Sequence, residues 1–237
     1  MAAPKALLFD VFGTSVDWYG GITRGLGAAF GRSPDDPDVV ALTLAWRQSY
    51  SDGMAEVRAG RQPWRRVDEI HAEALARLLP AHGFDLPGAD ELERLNLLWH
   101  RLDPWPDTLA GLQRLRRRHT VATLSNGNLD LLIDLARHGG IPWDKLFCSD
   151  LFNRFKPDPE TYLGACRLLE LRPEQVMMVA CHRGDLQAAA GNGLGTAFVS
   201  RPLEYGGRVE ADSASADEFD RVCDSFTELA DRLEETP

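Results

Sequence analysis

The chain has 237 residues, with 36 Asp or Glu against 26 Lys or Arg for a formal charge of −10; 44% of residues are hydrophobic and 26% charged. This is a globular composition, and at roughly 150 residues per domain the chain is long enough for a full core plus an accessory module. The acidic balance disfavours nucleic acid and anionic membranes as partners, since either needs a basic patch, and the longest apolar run, Val176 to Cys181, falls far short of the roughly 18 residues of a membrane span.

The opening MAAPKALLFD reaches an acid after only four apolar residues, so neither a span nor a signal peptide is expected. Lys5 to Phe9 is a short apolar run halted by Asp10 and Gly13, which predicts a buried strand ending in a loop. From Trp18 to His100 the apolar spacing turns helical (Val39, Leu42, Trp46; Ala74, Leu75, Leu78, Leu79; Leu92, Leu95, Leu98, Trp99), predicting a helical insertion over 17–100. Pro104-Trp105-Pro106 marks the return to a core formed by 1–16 and 101–237, because prolines so close cannot lie inside a helix. Arg114 to Arg118 is a dense basic run that reads as a solvated helix end. Further strands are predicted at Thr120–Leu124, Val176–Ala180 and Thr196–Val199, alternating with helices near Asn128–His138, Pro159–Leu169 and Asp185–Asn192. Such alternation implies an α/β fold with a parallel, Rossmann-like sheet covered on both faces. Arg208 to Asp220 reads as a surface connection before a last helix near Phe226–Leu233. Cys148, Cys166, Cys181 and Cys223 form no C-x-x-C pair, which fits a reduced, cytoplasmic protein.

In open parallel sheets ligands bind beyond the carboxyl ends of the strands. That rule gathers Asp10, Thr14, Ser125, Asn126, His182 and Asp185, with Lys156 joining from a loop: a carboxylate, hydroxyl and amide donors, a lysine and a second carboxylate, as a nucleophile site requires. Any one of these alone has an ordinary reading as a cap or turn residue.

Phe9-Asp10-Val11-Phe12-Gly13-Thr14, Leu124-Ser125-Asn126-Gly127, Phe155-Lys156-Pro157-Asp158 and the late Asp185 resemble the four ordered motifs of the haloacid dehalogenase superfamily, and the helical insertion falls where many members carry a cap. The phosphatases of that superfamily have an acid two residues after the nucleophile and a G-D-x-x-x-D motif for Mg²⁺. Here Phe12 and Cys181 occupy those acidic positions, a poor set for a hard ion. What remains resembles the metal-free 2-haloacid dehalogenases, and Asp17-Trp18 with Ala180-Cys181-His182-Arg183-Gly184-Asp185 resembles a subgroup that includes members acting on fluoroacetate.

That resemblance implies a substrate that is a small halogenated carboxylic acid, no cofactor, and often a homodimer. It implies that Asp10 attacks the halogen-bearing carbon, that Lys156 and Asn126 polarise Asp10, that Thr14 hydrogen-bonds it, and that Ser125 holds the substrate carboxylate. It further implies that Arg47 comes in from the cap and that Asp185 pairs with Lys156 and orients water. Phe12, Trp18, Trp46, Tyr162 and His182 are the expected substrate contacts, with core packing the competing reading for Trp18, Trp46 and Tyr162. Cys181 reads as a small buried hydrophobe. A diverged phosphatase and an inactive binding member are the alternatives.

Overall fold

A computed structural model describes residues 3–235. Its first strand, β1 (Ala6–Phe9), is an unbroken run of buried apolar side chains, as a strand covered on both faces must be. It lies inside a six-stranded, all-parallel sheet of order β3-β2-β1-β4-β5-β6 with β2 (Thr120–Ser125), β3 (Lys145–Cys148), β4 (Val176–Ala180), β5 (Gly195–Val199) and β6 (Arg221–Cys223). Phe9 is in register with Thr123 on one side and Val179 on the other. The strand order reverses at β1, so the loops leaving β1 and β4 diverge and open a crevice between them.

Alternation of side chains along β1 divides the core into two layers. Leu7 and Phe9 face α5 (Thr108–Leu115), α6 (Leu129–Gly139) and α9 (Phe226–Glu234), while Ala6 and Leu8 face α7 (Pro159–Leu169) and α8 (Arg183–Gly191). The strands β3 and β6 lie at the two sheet edges and have no counterpart in the apolar runs of the sequence. They are only four and three residues long and begin on Lys145 and Arg221, so an edge position rather than an apolar pattern defines them.

Helices α1 (Trp18–Phe30), α2 (Pro37–Arg58), α3 (Val67–Ala81) and α4 (Ala89–Asn96), with a 3-10 turn at Leu97–His100, form the helical insertion. Asp17 caps α1 by accepting from Gly20 N, and Asp36 caps α2 just ahead of Pro37, whose missing N–H costs nothing at a first helical position. The two connections to the core run side by side: Asp17 N donates to Asp103 O, Trp105 N to Ser15 O, and Val16 pairs with Pro104. A second tie is ionic. His100 contacts Asp134 of α6 at 2.8 Å and Asp68 of α3 at 3.1 Å, and Asn128 Nδ2 donates to Asp68 at 2.8 Å. Among the described residues no helix is long and apolar enough to cross a membrane.

Candidate active site

The backbone turns sharply after β1, and that turn builds the site. Asp10 N still donates to Val179 O, continuing the sheet, while Ser15 N and Val16 N both fold back onto Val11 O. Gly13 takes φ +81°, a conformation only glycine adopts without strain. The result places Thr14 Oγ1 at 2.8 Å from Asp10 Oδ2, and Cys181 N donates to the same hydroxyl oxygen, leaving its proton for Asp10. Lys156 Nζ bridges Asp10 Oδ1 (2.9 Å) and Asp185 Oδ2 (2.6 Å), and Tyr162 OH donates to Asp185 Oδ1 at 2.6 Å. On the far side His182 Nδ1 lies 3.0 Å from Asp10 Oδ2, and its Nε2 lies 2.9 Å from Glu204 Oε1.

Burial alone would push the Asp10 carboxyl up, but the adjacent Lys156 and His182 outweigh it and hold the group well below the usual carboxylate range. Lys156 is likewise disfavoured by burial and restored by Asp10 and Asp185, which keep its ammonium above the ordinary lysine value. Asp10 is therefore an ionised carboxylate in a largely dehydrated setting, as a nucleophile must be.

Asp10, Phe12 and His182 share a cavity of about 370 Å³ with Arg47 and Tyr50 of α2 and Tyr205 of the loop after β5. Arg47 is half-buried, its guanidinium over the ring faces of Tyr50 (4.7 Å) and Trp18 (5.4 Å). Phe12 meets Tyr50 and Trp99 edge to face, so the cap closes the cavity with aromatic rings and one cation. The N-terminus of α8 opens on the same space through Gly184, where first-turn amides and the helix dipole favour an anion.

A protein-family model described as haloacid dehalogenase-like hydrolase matches residues 4–193. The chain belongs to this family. Among solved structures the hydrolase is similar to the L-2-haloacid dehalogenase PA0810 (45% identity, TM-score 0.91, covering 97% of this chain and 99% of that one). It is similar also to the defluorinating L-2-haloacid dehalogenase Rha0230 (39% identity, TM-score 0.92, 98% and 95%). A curated relative, (S)-2-haloacid dehalogenase 1 of Pseudomonas sp. (strain CBS-3), is 29% identical over 208 residues, 85% of this chain and 88% of its own.

Within the hydrolase the residues singled out by sequence fall into two groups. Asp10, Phe12, Arg47, Asn126, Lys156, His182 and Asp185 line the cavity. Thr14 stands directly behind Asp10. The remaining residues, and Asn126 through its own contacts, take supporting places. Ser125 Oγ accepts from Gly127 N and is buried beneath the loop, beside the cavity-lining Asn126. Asn126 makes no bond to Asp10; its Oδ1 accepts from Lys156 N at 2.6 Å and so places the lysine backbone. Tyr162 is wholly buried and reaches the site only through Asp185. Trp46 donates to His71 O inside the cap, and Trp18 donates to Glu204, so both are packed behind the cavity wall. In each case a large ring at helical spacing is more valuable as buried area than as a surface contact.

Glu204 is the principal residue that sequence reading missed. The carboxyl-end rule reaches it when applied to the loop after β5, but four residues of loop separate it from the strand and no motif marks it. Arg201 in the same loop is also structural to the site: it forms a bidentate pair with Asp107 and donates to Thr14 O. Tyr50 follows Arg47 by three residues, the spacing that puts both on one helix face. Cys181, His182 and Glu204 form the one group of three metal-capable side chains among the described residues. They make a hydrogen-bonded chain rather than an open cage, because both ring nitrogens of His182 are already engaged by carboxylates.

Proposed function

We propose that this hydrolase converts (S)-2-haloalkanoic acids to 2-hydroxy acids through an ester on Asp10, without a metal. The observation that carries this reading is the state of the Asp10 oxygens. Oδ2 accepts from both Thr14 and His182, which uses both of its lone pairs, whereas among the described residues Oδ1 accepts only from Lys156 and keeps one free at the cavity wall. Two residues on, Phe12 supplies an apolar ring where phosphoryl transfer would need a proton donor.

In the first step Oδ1 attacks C2 from behind, the C–O bond forms as the carbon–halogen bond breaks, and the halide leaves with the bonding pair. Back-side attack inverts the carbon. Arg47 and the α8 N-terminus supply positive potential for the substrate carboxylate and the departing halide. In the second step water adds to Cγ of Asp10 and gives a proton to Asp185, whose oxygens each retain a lone pair beside the Lys156 and Tyr162 bonds. Collapse breaks the Cγ–O bond to the substrate, the proton returns to the product oxygen, and Asp10 loses the remaining proton to solvent. Net products are hydroxy acid, halide and one proton.

The substrate range includes fluoroacetate, for which the cavity offers the Arg47 guanidinium to a leaving fluoride. The compartment is the cytoplasm, where the four free, buried cysteines stay reduced. Halide release from a panel of chloro-, bromo- and fluoro-2-alkanoic acids, with and without EDTA, is the test. Single turnover in ¹⁸O-water with enzyme in excess should place label in Asp10. Release of phosphate from phosphoesters that requires Mg²⁺, or label entering the hydroxy acid in the first turnover, would overturn the reading.

A further inference from the structure

The loop after β5 brings a third carboxylate, Glu204, against His182, and neither step above uses it. Glu204 is 1% exposed, which for an anion is costly unless it is paired. Its Oε1 accepts from His182 Nε2 at 2.9 Å and from Trp18 Nε1 at 3.2 Å, and Oε2 accepts from Cys181 Sγ at 3.6 Å. The surrounding chain is shaped around this group. Glu204 N closes a turn onto Arg201 O, and Arg201 is pinned by Asp107 and by Thr14 O. Gly13 has no Cβ at the place where one would meet the Glu204 carboxylate.

His182 consequently lies between two carboxylates, one at each ring nitrogen. Both carboxyls are held below their usual range by the positive groups beside them, so neither offers an O–H; a neutral imidazole, with a single N–H, would then donate to only one of them, and both contacts are hydrogen bonds only when the ring is an imidazolium. We propose that Glu204 is a positioning residue that keeps His182 doubly protonated, so that His182 Nδ1–H and the Thr14 hydroxyl form the oxyanion-binding pair for hydrolysis of the Asp10 ester. This rests on the dehalogenase reading and extends it. Once Oδ1 carries the ester, Oδ2 is the carbonyl oxygen, and addition of water to Cγ drives the C=O electron pair onto it. Thr14 and His182 already point there. Glu204 thus has a part in the second step analogous to a carboxylate that fixes the protonation and orientation of a catalytic histidine, although here the histidine stabilises charge rather than accepting a proton.

The two carboxylates at the ring nitrogens of His182 favour its charged form, while the cations nearby, Lys156 and Arg47, oppose it. Asp10, backed by Lys156, approaches from the β1 loop; Cys181 precedes it; Glu204 and Tyr205 face it from the loop after β5; Arg47 approaches from the cap. Burial opposes the charged ring, but the Glu204 and Asp10 carboxylates hold it well above the ordinary histidine value.

Two measurements test the inference. The first is the ¹⁵N spectrum of the ligand-free wild-type enzyme labelled at histidine, with His182 assigned by its loss in H182Q. Imidazolium shifts at both nitrogens persisting through neutral pH are expected. The second compares pH profiles of kcat and KM for the wild type and E204Q, which keeps an acceptor for Nε2 but removes the charge. E204Q should show kcat near wild type at acid pH and an alkaline limb moved toward neutrality, with kcat falling about tenfold per pH unit beyond it as a single proton titrates; KM should change little. E204D should restore part of the limb, which a merely structural loss would not. A neutral His182 ring in the wild type at pH 7, or an E204Q profile with the wild-type limb, overturns the inference while leaving the dehalogenase reading intact. A wild type that releases no halide yet shows a Glu204-dependent imidazolium overturns the reading, and the oxyanion role with it.

Discussion

The two walls of the cavity are built on opposite principles. On the core side the charges are closed into a network: Asp10, Asp185 and Glu204 are matched by Lys156 and His182, every one of them with a partner within 3.0 Å. On the cap side the wall is aromatic, and several buried polar atoms have no partner among the described residues: Arg47 Nε, Trp99 Nε1, Thr43 Oγ1 and both ring nitrogens of His71. His71 is stacked on Trp99 at 4.3 Å and on Tyr50 at 5.4 Å, and burial pulls its pKa down to about 3, so it stays neutral where His182 is charged. The difference teaches that the core holds its electrostatics ready before substrate arrives, whereas the cap contributes a low-polarity cover and one cation, in whose presence the core charges act with little screening.

Breaking the core wall should have the largest effects. Asp10→Asn should reduce halide release below detection while leaving the fold intact, since the amide keeps an acceptor for Thr14; a variant with measurable turnover would mean that another group attacks. Arg201→Ala removes one member of a buried bidentate pair and strands Asp107, which also caps α9 through Phe226 N. A loss of about 3–5 kcal/mol in denaturant unfolding is expected, together with falling activity as Thr14 is released. An unfolding midpoint like that of wild type would show the pair to be dispensable.

On the cap wall, Arg47→Lys should lower kcat/KM by roughly 10²–10³, about 3–4 kcal/mol, because an ammonium lacks the planar fork of the guanidinium. Near-normal halide release would remove Arg47 from the reaction.

The smallest effect is expected at His71. In the folded state it remains neutral down to about 3, against 6.5 for an ordinary histidine, so protonation favours the unfolded chain: stability should decline as pH falls from 6.5 toward 3. His71→Phe should flatten that slope and change stability at pH 7 by no more than about 1 kcal/mol, in the favourable direction because two unpaired buried nitrogens are removed. The paired His100 provides the contrast. Burial opposes its charge, but Asp68 and Asp134 raise its pKa above 6.5, so its contribution is full below 6.5 and is lost as pH rises through the higher folded value. Equal slopes in the two variants, H71F and H100Q, would contradict the distinction.

Much of the core wall was legible in the sequence because a short parallel strand places the residue just beyond it at a crevice, whatever the rest of the chain does. Asp10, Asn126, His182 and Asp185 all follow from that local rule, and Lys156 from its motif. The cap wall was legible in part: helical spacing put Trp46 on a helix and the family resemblance marked Arg47, but Tyr50 was not singled out, and spacing cannot say which side chain points inward. Trp46 turned toward His71, and Arg47 with Tyr50 toward Asp10. The edge strands β3 and β6 carried no periodic signal at all, being too short for one.

Local chemistry along the chain thus determined the α/β alternation, the run of helices after the first strand and the place of Asp10 at that strand's end, since each depends on residues close in sequence or on turns that any such strand must make. The tertiary structure alone decided the charge state of the site. His182 becomes an imidazolium because Asp10 and Glu204, 172 and 22 residues away, meet its two nitrogens. Pairing of that kind depends on three loops converging in a dehydrated space, where the energy of a charge is set by its distance to other charges and not by its position in the chain.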